Sequence, residues 1–195
     1  MKIIAIVQAR MGSKRLPGKV MMEAGGKPLI GHLIDRLRQC KNLDGIVVAG
    51  PMVDQRSALQ KYLTHIECDH YFGDAEDDLC ARFLSTIALH RCDAFVRICG
   101  DSPLIEQEPI NLTCKWLRSG ADFFSTVGWK MLSPGNSSEG VTVPFYRKLC
   151  VNCAPEDREH AGFPYAYRKI AENSGLVDTA EDFERVKRII ENGHA

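Results

Sequence analysis

The chain has 195 residues, 45% of them hydrophobic, and its 25 lysines and arginines balance 25 aspartates and glutamates. This length and composition predict one domain, 1–195, with a substantial hydrophobic core. The balanced charge gives no support to a nucleic acid or an acidic membrane surface as partner. Because no segment resembles a signal peptide or approaches the roughly 20 apolar residues of a membrane span, we expect a cytoplasmic protein without a membrane partner.

Strand-like and helix-like segments alternate along the first 120 residues. A buried strand over 3–7 is followed by a helix from Pro28 to about Cys40 and by a second strand over 46–49, which is typical of a parallel crossover unit. Further elements continue the alternation: a helix over 53–63, a strand over 66–72, a helix that begins near Glu76, a strand over 94–99 and a helix that begins at Pro109. The pattern predicts an α/β fold, with a mostly parallel, Rossmann-like sheet and helices on both faces.

The last third of the sequence has a weaker pattern. A strand is predicted over 123–127, and the turn residues of 128–140 predict a mobile loop with little to bury. Two short apolar runs, 141–145 with Pro144 at a sheet edge and 163–167, are predicted as strands. A final helix is predicted over 179–191, where Thr179 and Asp182 fit a capping box.

Eight cysteines are scattered along the chain, many of them inside apolar segments. In a reducing compartment most of them should be free, buried thiols. Cys150 and Cys153 form the one close pair, with His160 downstream. Structural zinc usually takes two such pairs, or one pair and two well-spaced histidines, so this spacing gives little support to a metal or redox role.

The first strand leads directly into a turn that is rich in cations and glycine. Its charged residues are Arg10, Lys14, Arg15 and Lys19, and its turn residues are Gly12, Pro17 and Gly18. Glycine lets a backbone approach a polyphosphate closely, and arginine offers forked donors to phosphate oxygens, although a solvated surface turn would have the same composition. Five residues separate Gly12 from the Gly18-Lys19 pair, and Val20 follows, which excludes a Walker loop; no G-x-G-x-x-G follows the strand either.

A carboxylate follows the predicted strand 94–99. Asp101 stands between Gly100 and the stiff pair Ser102-Pro103. Ligands of open parallel sheets bind beyond the carboxyl ends of the strands, so Asp101 and the basic turn should open on one crevice. A magnesium ion that bridges phosphates needs only one or two carboxylates, but Asp101 could equally cap the turn before Pro103.

The segment from Ala9 to Lys19, followed by Gly26-Lys27-Pro28-Leu29, resembles the opening of the sugar-acid cytidylyltransferases. The branch it is most similar to is that of spore coat polysaccharide biosynthesis protein F, which is related to the acylneuraminate and 3-deoxy-octulosonate cytidylyltransferases. The resemblance is continuous over the first 125 residues. It implies the fold of nucleotide-diphospho-sugar transferases, and Mg²⁺-dependent transfer of CMP from CTP to a small sugar acid for a surface polysaccharide, with release of pyrophosphate. Relatives are often dimers, which leaves a homodimer open.

The resemblance also implies roles for individual residues. Asp101 and Asp178 would be the magnesium ligands, although Asp178 also fits a helix cap. The catalytic residues would be Arg10, Lys19 and Asp101. Nucleotide-binding residues would be Gln8, Ala9, Arg10, Met11, Gly12, Ser13, Arg15, Lys19, Asp77, Arg82, Gly100 and Asp101. Sugar-binding residues would be Arg97, Glu139 and His160.

Other interpretations stay open at this point. Arg82 could pair with Asp78 one helical turn away instead of facing a pocket, and His160 could be a surface histidine. A nucleotidyltransferase for another base, such as a guanylyltransferase, is a second candidate, although the opening of that family is normally richer in glycine. A nucleotide-binding partner subunit without turnover is a third.

Overall fold

A computed structural model of the chain describes residues 1–128, 131–133 and 135–167. Within these residues the strands are β1 (Ile3–Gln8), β2 (Glu23–Ala24), β3 (Lys27–Pro28), β4 (Gly45–Gly50), β5 (Asp69–Phe72), β6 (Ala94–Cys99), β7 (Phe123–Ser125) and β8 (Glu139–Thr142). The helices are α1 (Leu29–Leu37), α2 (Ala58–His65), α3 (Leu79–His90), α4 (Gln107–Arg118) and α5 (Val143–Asn152). Short 3-10 turns lie at Lys19–Met21, Met52–Asp54 and Pro155–His160.

The centre of the fold is a sheet with the strand order β5-β4-β1-β6-β8-β7. The first four strands in this order are parallel to one another, whereas β8 runs antiparallel to both β6 and β7. β1 lies between β4 and β6, and Ile3 to Val7 are all buried. A continuous apolar run is what a parallel strand covered on both faces requires.

Helices cover both faces of this sheet, as the sequence predicts. Ile3, Ala5 and Val7 face a core that includes residues of α1, α2 and α4. Ile4 and Ile6 face the opposite core, which includes residues of α3 and α5. The alternation of side chains along β1 therefore divides one strand between two hydrophobic layers.

Two strand predictions in the last third are wrong. The strand predicted over 141–145 ends at Thr142, and α5 begins at Val143 with Pro144 in its first turn. Proline fits there because the first N–H groups of a helix have no intrahelical partner. The segment 163–167, also predicted as a strand, is helical.

Other boundaries differ in smaller ways. The helix predicted over 53–63 begins at Ala58, where the Ser57 hydroxyl accepts from the N–H of Gln60. The end of the segment predicted as a loop over 128–140 is well packed, because Ser138 and Glu139 are buried and β8 begins at Glu139. The helix predicted over 179–191 and Asp178 lie outside the described residues.

All eight cysteines are free thiols, and five of them are buried. Among the residues that the structure describes, no helix has the length and apolar character needed to cross a bilayer.

Candidate active site

The carboxyl ends of β1 and β6 meet at the floor of a crevice. The N–H of Gly100 donates to the carbonyl of Gln8 over 2.9 Å. A Cβ on Gly100 would lie 2.8 Å from that carbonyl oxygen and 2.9 Å from the Cβ of Ala9, a distance that side chains do not adopt. Glycine is therefore required for the two strand ends to approach, and this approach brings Asp101 beside the basic turn.

The basic turn, residues 10–19, folds around the backbone of Met11. The carbonyl of Met11 accepts from the N–H groups of Ser13 (3.0 Å) and Gly18 (2.8 Å). Gly18 has φ +70°, a left-handed conformation that glycine adopts without strain, and the 3-10 turn that starts at Lys19 follows it. These hydrogen bonds close the turn on itself.

A buried acid from the 3-10 turn that follows β4 supports the basic turn. The N–H of Met11 donates to the carboxylate of Asp54 over 2.7 Å, and Asp54 is only 6% exposed. The prediction from sequence did not include Asp54. Its signal was its place just after β4, the strand adjacent to β1, because loops that follow parallel strands meet at the same edge of a sheet.

The first lobe of the crevice contains most of the predicted phosphate ligands. Lys19 and Asp101 form an ion pair there. The lobe has a volume of about 330 Å³ and is lined by Gln8, Arg10, Ser13, Lys14, Arg15, Lys19, Val20, Cys99, Gly100, Asp101 and Glu159. Lys14, Cys99 and Glu159 were not among the predicted site residues.

A second lobe of about 150 Å³ adjoins the first and shares three of its residues. It is lined by Gln8, Ala9, Arg10, Glu76, Leu79, Arg82, Glu159 and His160. The first lobe alone has the size of a small-molecule site, which spans roughly 300–1,000 Å³, and the second lobe extends it. The crevice thus unites the basic turn with Asp101, Arg82 and His160.

Arg82 is buried, and its contacts differ from the alternative interpretation, a pair with Asp78. One of its terminal nitrogens donates to the carbonyls of Ala75 (2.6 Å) and Glu76 (3.0 Å). Burial lowers the pKa of the Arg82 guanidinium, although Asp74 opposes this effect. Asp78 instead caps α3 through the N–H of Ala81, and its second oxygen accepts from Arg158.

Two of the predicted sugar ligands satisfy each other inside the sheet. Arg97 pairs with the Glu139 carboxylate over 2.5 Å and donates to the Gln8 side chain over 2.9 Å. Glu139 also accepts from the Tyr167 hydroxyl over 2.5 Å. Among the described residues, neither Arg97 nor Glu139 lines either lobe. Gln8 lines both lobes and therefore links this buried pair to the crevice.

The remaining predicted residues lie at different distances from the crevice. Met11 contributes its backbone and packs its side chain against the core, and Gly12 contacts the Glu76 carboxylate. Asp77 is exposed and is not part of the lining given above. No cluster of three metal-ligating side chains occurs in the described ranges, and Asp178 lies beyond them.

An open, mostly parallel sheet that carries a cationic turn and a carboxylate at its carboxyl edge defines an α/β protein of the nucleotide-binding class. Comparison with known proteins identifies the family. The cytidylyltransferase family model matches residues 4–139. The chain therefore belongs to the cytidylyltransferase family, whose members are nucleotidyltransferases.

The chain is also similar to individual proteins. The uncharacterized protein MJ1063 of Methanocaldococcus jannaschii is 35% identical over 169 residues, which cover 86% of this chain and 68% of that protein. The spore coat polysaccharide biosynthesis protein SpsF of Bacillus subtilis is 31% identical over 114 residues, or 56% of this chain and 47% of SpsF. The chain thus matches about half the length of SpsF.

Solved structures agree as well. A cytidylyltransferase from Leptospira borgpetersenii superposes with a TM-score of 0.79 at 26% identity, covering 100% of this chain and 89% of that one. The CTP complex of CMP:2-keto-3-deoxy-manno-octonic acid synthetase has the same fold, with a TM-score of 0.63 at 17% identity, and the match covers 98% of this chain and 99% of that one.

Proposed function

We propose that this chain transfers CMP from CTP to a hydroxyl group of a sugar acid and releases pyrophosphate. The observation that carries the proposal is the meeting of Lys19, from the basic turn, with Asp101, from the end of β6, in one crevice. A sugar-acid acceptor is supported by the similarity to 3-deoxy-manno-octulosonate cytidylyltransferases, such as that of Bdellovibrio bacteriovorus at 27% identity. The similarity to SpsF supports a role in polysaccharide synthesis.

In this proposal the first lobe holds the triphosphate. Arg10, Arg15 and Lys19 supply charge and donors to the phosphate oxygens, and Lys14 lines the same lobe. The oxygen of the acceptor hydroxyl attacks the α-phosphorus and its proton passes to water. The bond from that phosphorus to the bridging oxygen breaks, and pyrophosphate leaves with the electron pair of that bond. Negative charge that develops on the leaving group is stabilised by cations that are already in place, which is the main catalytic effect available here.

Asp101 would suit a magnesium ion that binds together with the triphosphate. Its side chain is 44% exposed, lies in the phosphate lobe and already faces a cation, and such an ion needs only one or two protein carboxylates. Asp178 is the second proposed ligand. When bound, Mg²⁺ would neutralise phosphate charge; Asp101 is the residue of this crevice that would hold it.

The second lobe is proposed to hold the nucleoside and to be the place where the acceptor approaches it. Arg82 and His160, which were predicted to serve different substrates, line this same lobe. Their proximity is compatible with direct transfer between two substrates bound side by side. Because the Arg82 guanidinium donates to two carbonyls, we propose that its main role is to hold the 75–76 loop in place. Only part of the guanidinium edge would then face the nucleotide. A single domain over 1–195, a homodimer and a cytoplasmic location stay predictions from sequence.

The test is pyrophosphate release by the purified chain with each of the four nucleoside triphosphates, magnesium and a panel of 2-keto sugar acids. We expect release with CTP and at least one sugar acid, and loss of magnesium-dependent turnover in Asp101→Ala. Release with GTP alone would favour a transferase for another base. Nucleotide binding without release would favour a partner subunit that has no turnover.

A further inference from the structure

A carboxylate from the loop before α3 lies against the basic turn. The Oε1 atom of Glu76 is 3.1 Å from the Nη1 atom of Arg10. The same oxygen would be only 2.9 Å from a Cβ on Gly12, so it occupies the space that a side chain at this position of the turn would fill. Arg10 and Glu76 both line the second lobe, and Arg10 lines the first as well. Glu76 therefore places a negative charge where the turn is built to receive an anion.

The position of Glu76 is fixed from behind by a buried cation. Arg82 is 1% exposed and donates to the carbonyls of Ala75 and Glu76, which ties the backbone of the loop to α3. A buried arginine side chain has few alternative conformations. The backbone that carries the Glu76 carboxylate is thus held in place beside Arg10.

The ion pair itself is easily exchanged. The Arg10 and Glu76 side chains are 36% and 43% exposed, and ion pairs of this exposure contribute little because water and salt screen them. A phosphate group carries more charge than a carboxylate and can displace it from the guanidinium. The displaced carboxylate would then stand next to the bound phosphates and repel them.

We propose that Glu76 is an intramolecular competitor for Arg10, which weakens the hold of the basic turn on polyphosphate. This role rests on the proposed function, in which Arg10 is a phosphate ligand. Asp101 differs from Glu76 because, in the proposed function, its negative charge would be neutralised by a bound metal ion and would not repel the phosphates. Glu76 lowers the affinity of the turn for triphosphate and for the pyrophosphate product, and pyrophosphate therefore leaves more readily as Arg10 returns to Glu76.

The role is tested with inorganic triphosphate, which needs neither CTP specificity nor turnover. Its affinity for the full chain is measured by calorimetry at low salt for the wild type, Glu76→Gln, Arg10→Ala and the double variant. We expect Glu76→Gln to bind triphosphate about fivefold more tightly, a difference of about 1 kcal/mol that narrows in high salt. In the Arg10→Ala background the gain from the same substitution should be smaller, because the competition for Arg10 has been removed and only the repulsion between carboxylate and phosphate is left.

Glu67→Gln is the matched control. It removes the same charge from an exposed residue just before β5, at the sheet edge opposite the crevice, and should leave triphosphate affinity within about twofold of wild type. Equal effects of Glu76→Gln and Glu67→Gln would overturn the role, as would weaker binding by Glu76→Gln or a gain that is undiminished without Arg10. If tightening occurs but no nucleotide supports pyrophosphate release, the role of Glu76 stands and the proposed transferase activity fails.

Discussion

Removing the Asp54 carboxylate should loosen the basic turn while leaving the sheet intact. Asp54→Ala would remove the acceptor that lies 2.7 Å from the N–H of Met11. Asp54 is only 6% exposed, so water has little access to replace its carboxylate. An orphaned donor of this kind lowers the free energy of unfolding by about 1–3 kcal/mol. Because the carbonyl of Met11 also closes the turn through Ser13 and Gly18, movement of this peptide should displace Arg10 and Lys19 together.

Displacement of the phosphate ligands by even an ångström should be costly for binding and catalysis. For Asp54→Ala we expect the Kd for inorganic triphosphate to rise about tenfold and kcat/KM to fall by about 10²-fold. Asp54→Asn keeps an acceptor oxygen, so its Kd and its kcat/KM should lie between those of the wild type and those of Asp54→Ala. Calorimetry gives the affinity, pyrophosphate release gives kcat/KM, and urea unfolding gives the stability of each variant.

A matched bond at the other end of β1 separates positioning from stability. The Asp44 carboxylate accepts from the N–H of Ile3 over 2.7 Å, at the edge of the sheet opposite the crevice. Asp44→Ala should lower the free energy of unfolding by a similar amount but keep triphosphate affinity within about twofold. If Asp54→Ala bound triphosphate as tightly as Asp44→Ala does, Asp54 would have no part in positioning the turn.

Three further predictions follow from single contacts. Lys19→Met should reduce kcat/KM for CTP by about 10²-fold, because a preorganised cation is lost from the phosphates; steady-state rates within a few-fold of wild type would remove Lys19 from the site. Gly100→Ala should lower the free energy of unfolding by about 1–3 kcal/mol through overpacking, whereas Gly45→Ala, whose added Cβ would meet only a side-chain methyl at 3.4 Å, should be tolerated in the same urea titration. Burial raises the pKa of the Cys68 thiol to about 11 from 9.0. The unfolded thiol therefore ionises first, and stability should fall as pH rises from 9 toward 11. Urea midpoints at the two ends of that range should differ less in Cys68→Ala than in the wild type, and an equal difference would contradict the burial effect.

The parallel half of the sheet was predictable from sequence because its physical requirement is simple. A strand covered on both faces needs a nearly continuous apolar run, and β1, β4 and β6 each provide one, although Arg97 interrupts the run of β6. The prediction at 141–145 was wrong because its pattern is ambiguous. Pro144 is acceptable both at a sheet edge and in the first turn of a helix, and only the packing of Tyr146 and Leu149 into the core decides for the helix.

The site was predictable where one topological rule governs it. Loops after parallel strands share an edge, so the meeting of Lys19 with Asp101 followed from their positions after β1 and β6. No such rule predicts which side chains pair with each other across the site. Arg82 fitted an i,i+4 pair with Asp78, but its burial leaves two backbone carbonyls as its partners, and that choice depends on the path of the 75–76 loop. The position of Glu76 follows from this path and has no signal in the spacing of the sequence.

The described acids around the basic turn explain how a concentrated positive charge is kept available. Cations within ten residues of one another repel, and a turn of this composition would favour open conformations if nothing opposed them. Asp54 opposes this from beneath through the backbone of Met11, while Glu76 and Asp101 oppose it through the exposed side chains of Arg10 and Lys19. The bond to the backbone has a buried acceptor and is durable, whereas the two ion pairs are exposed and contribute only about 0–1 kcal/mol each. Under the proposed function, the turn would therefore keep its shape while the two cations exchange their carboxylates for phosphate oxygens, as binding and release on every turnover require.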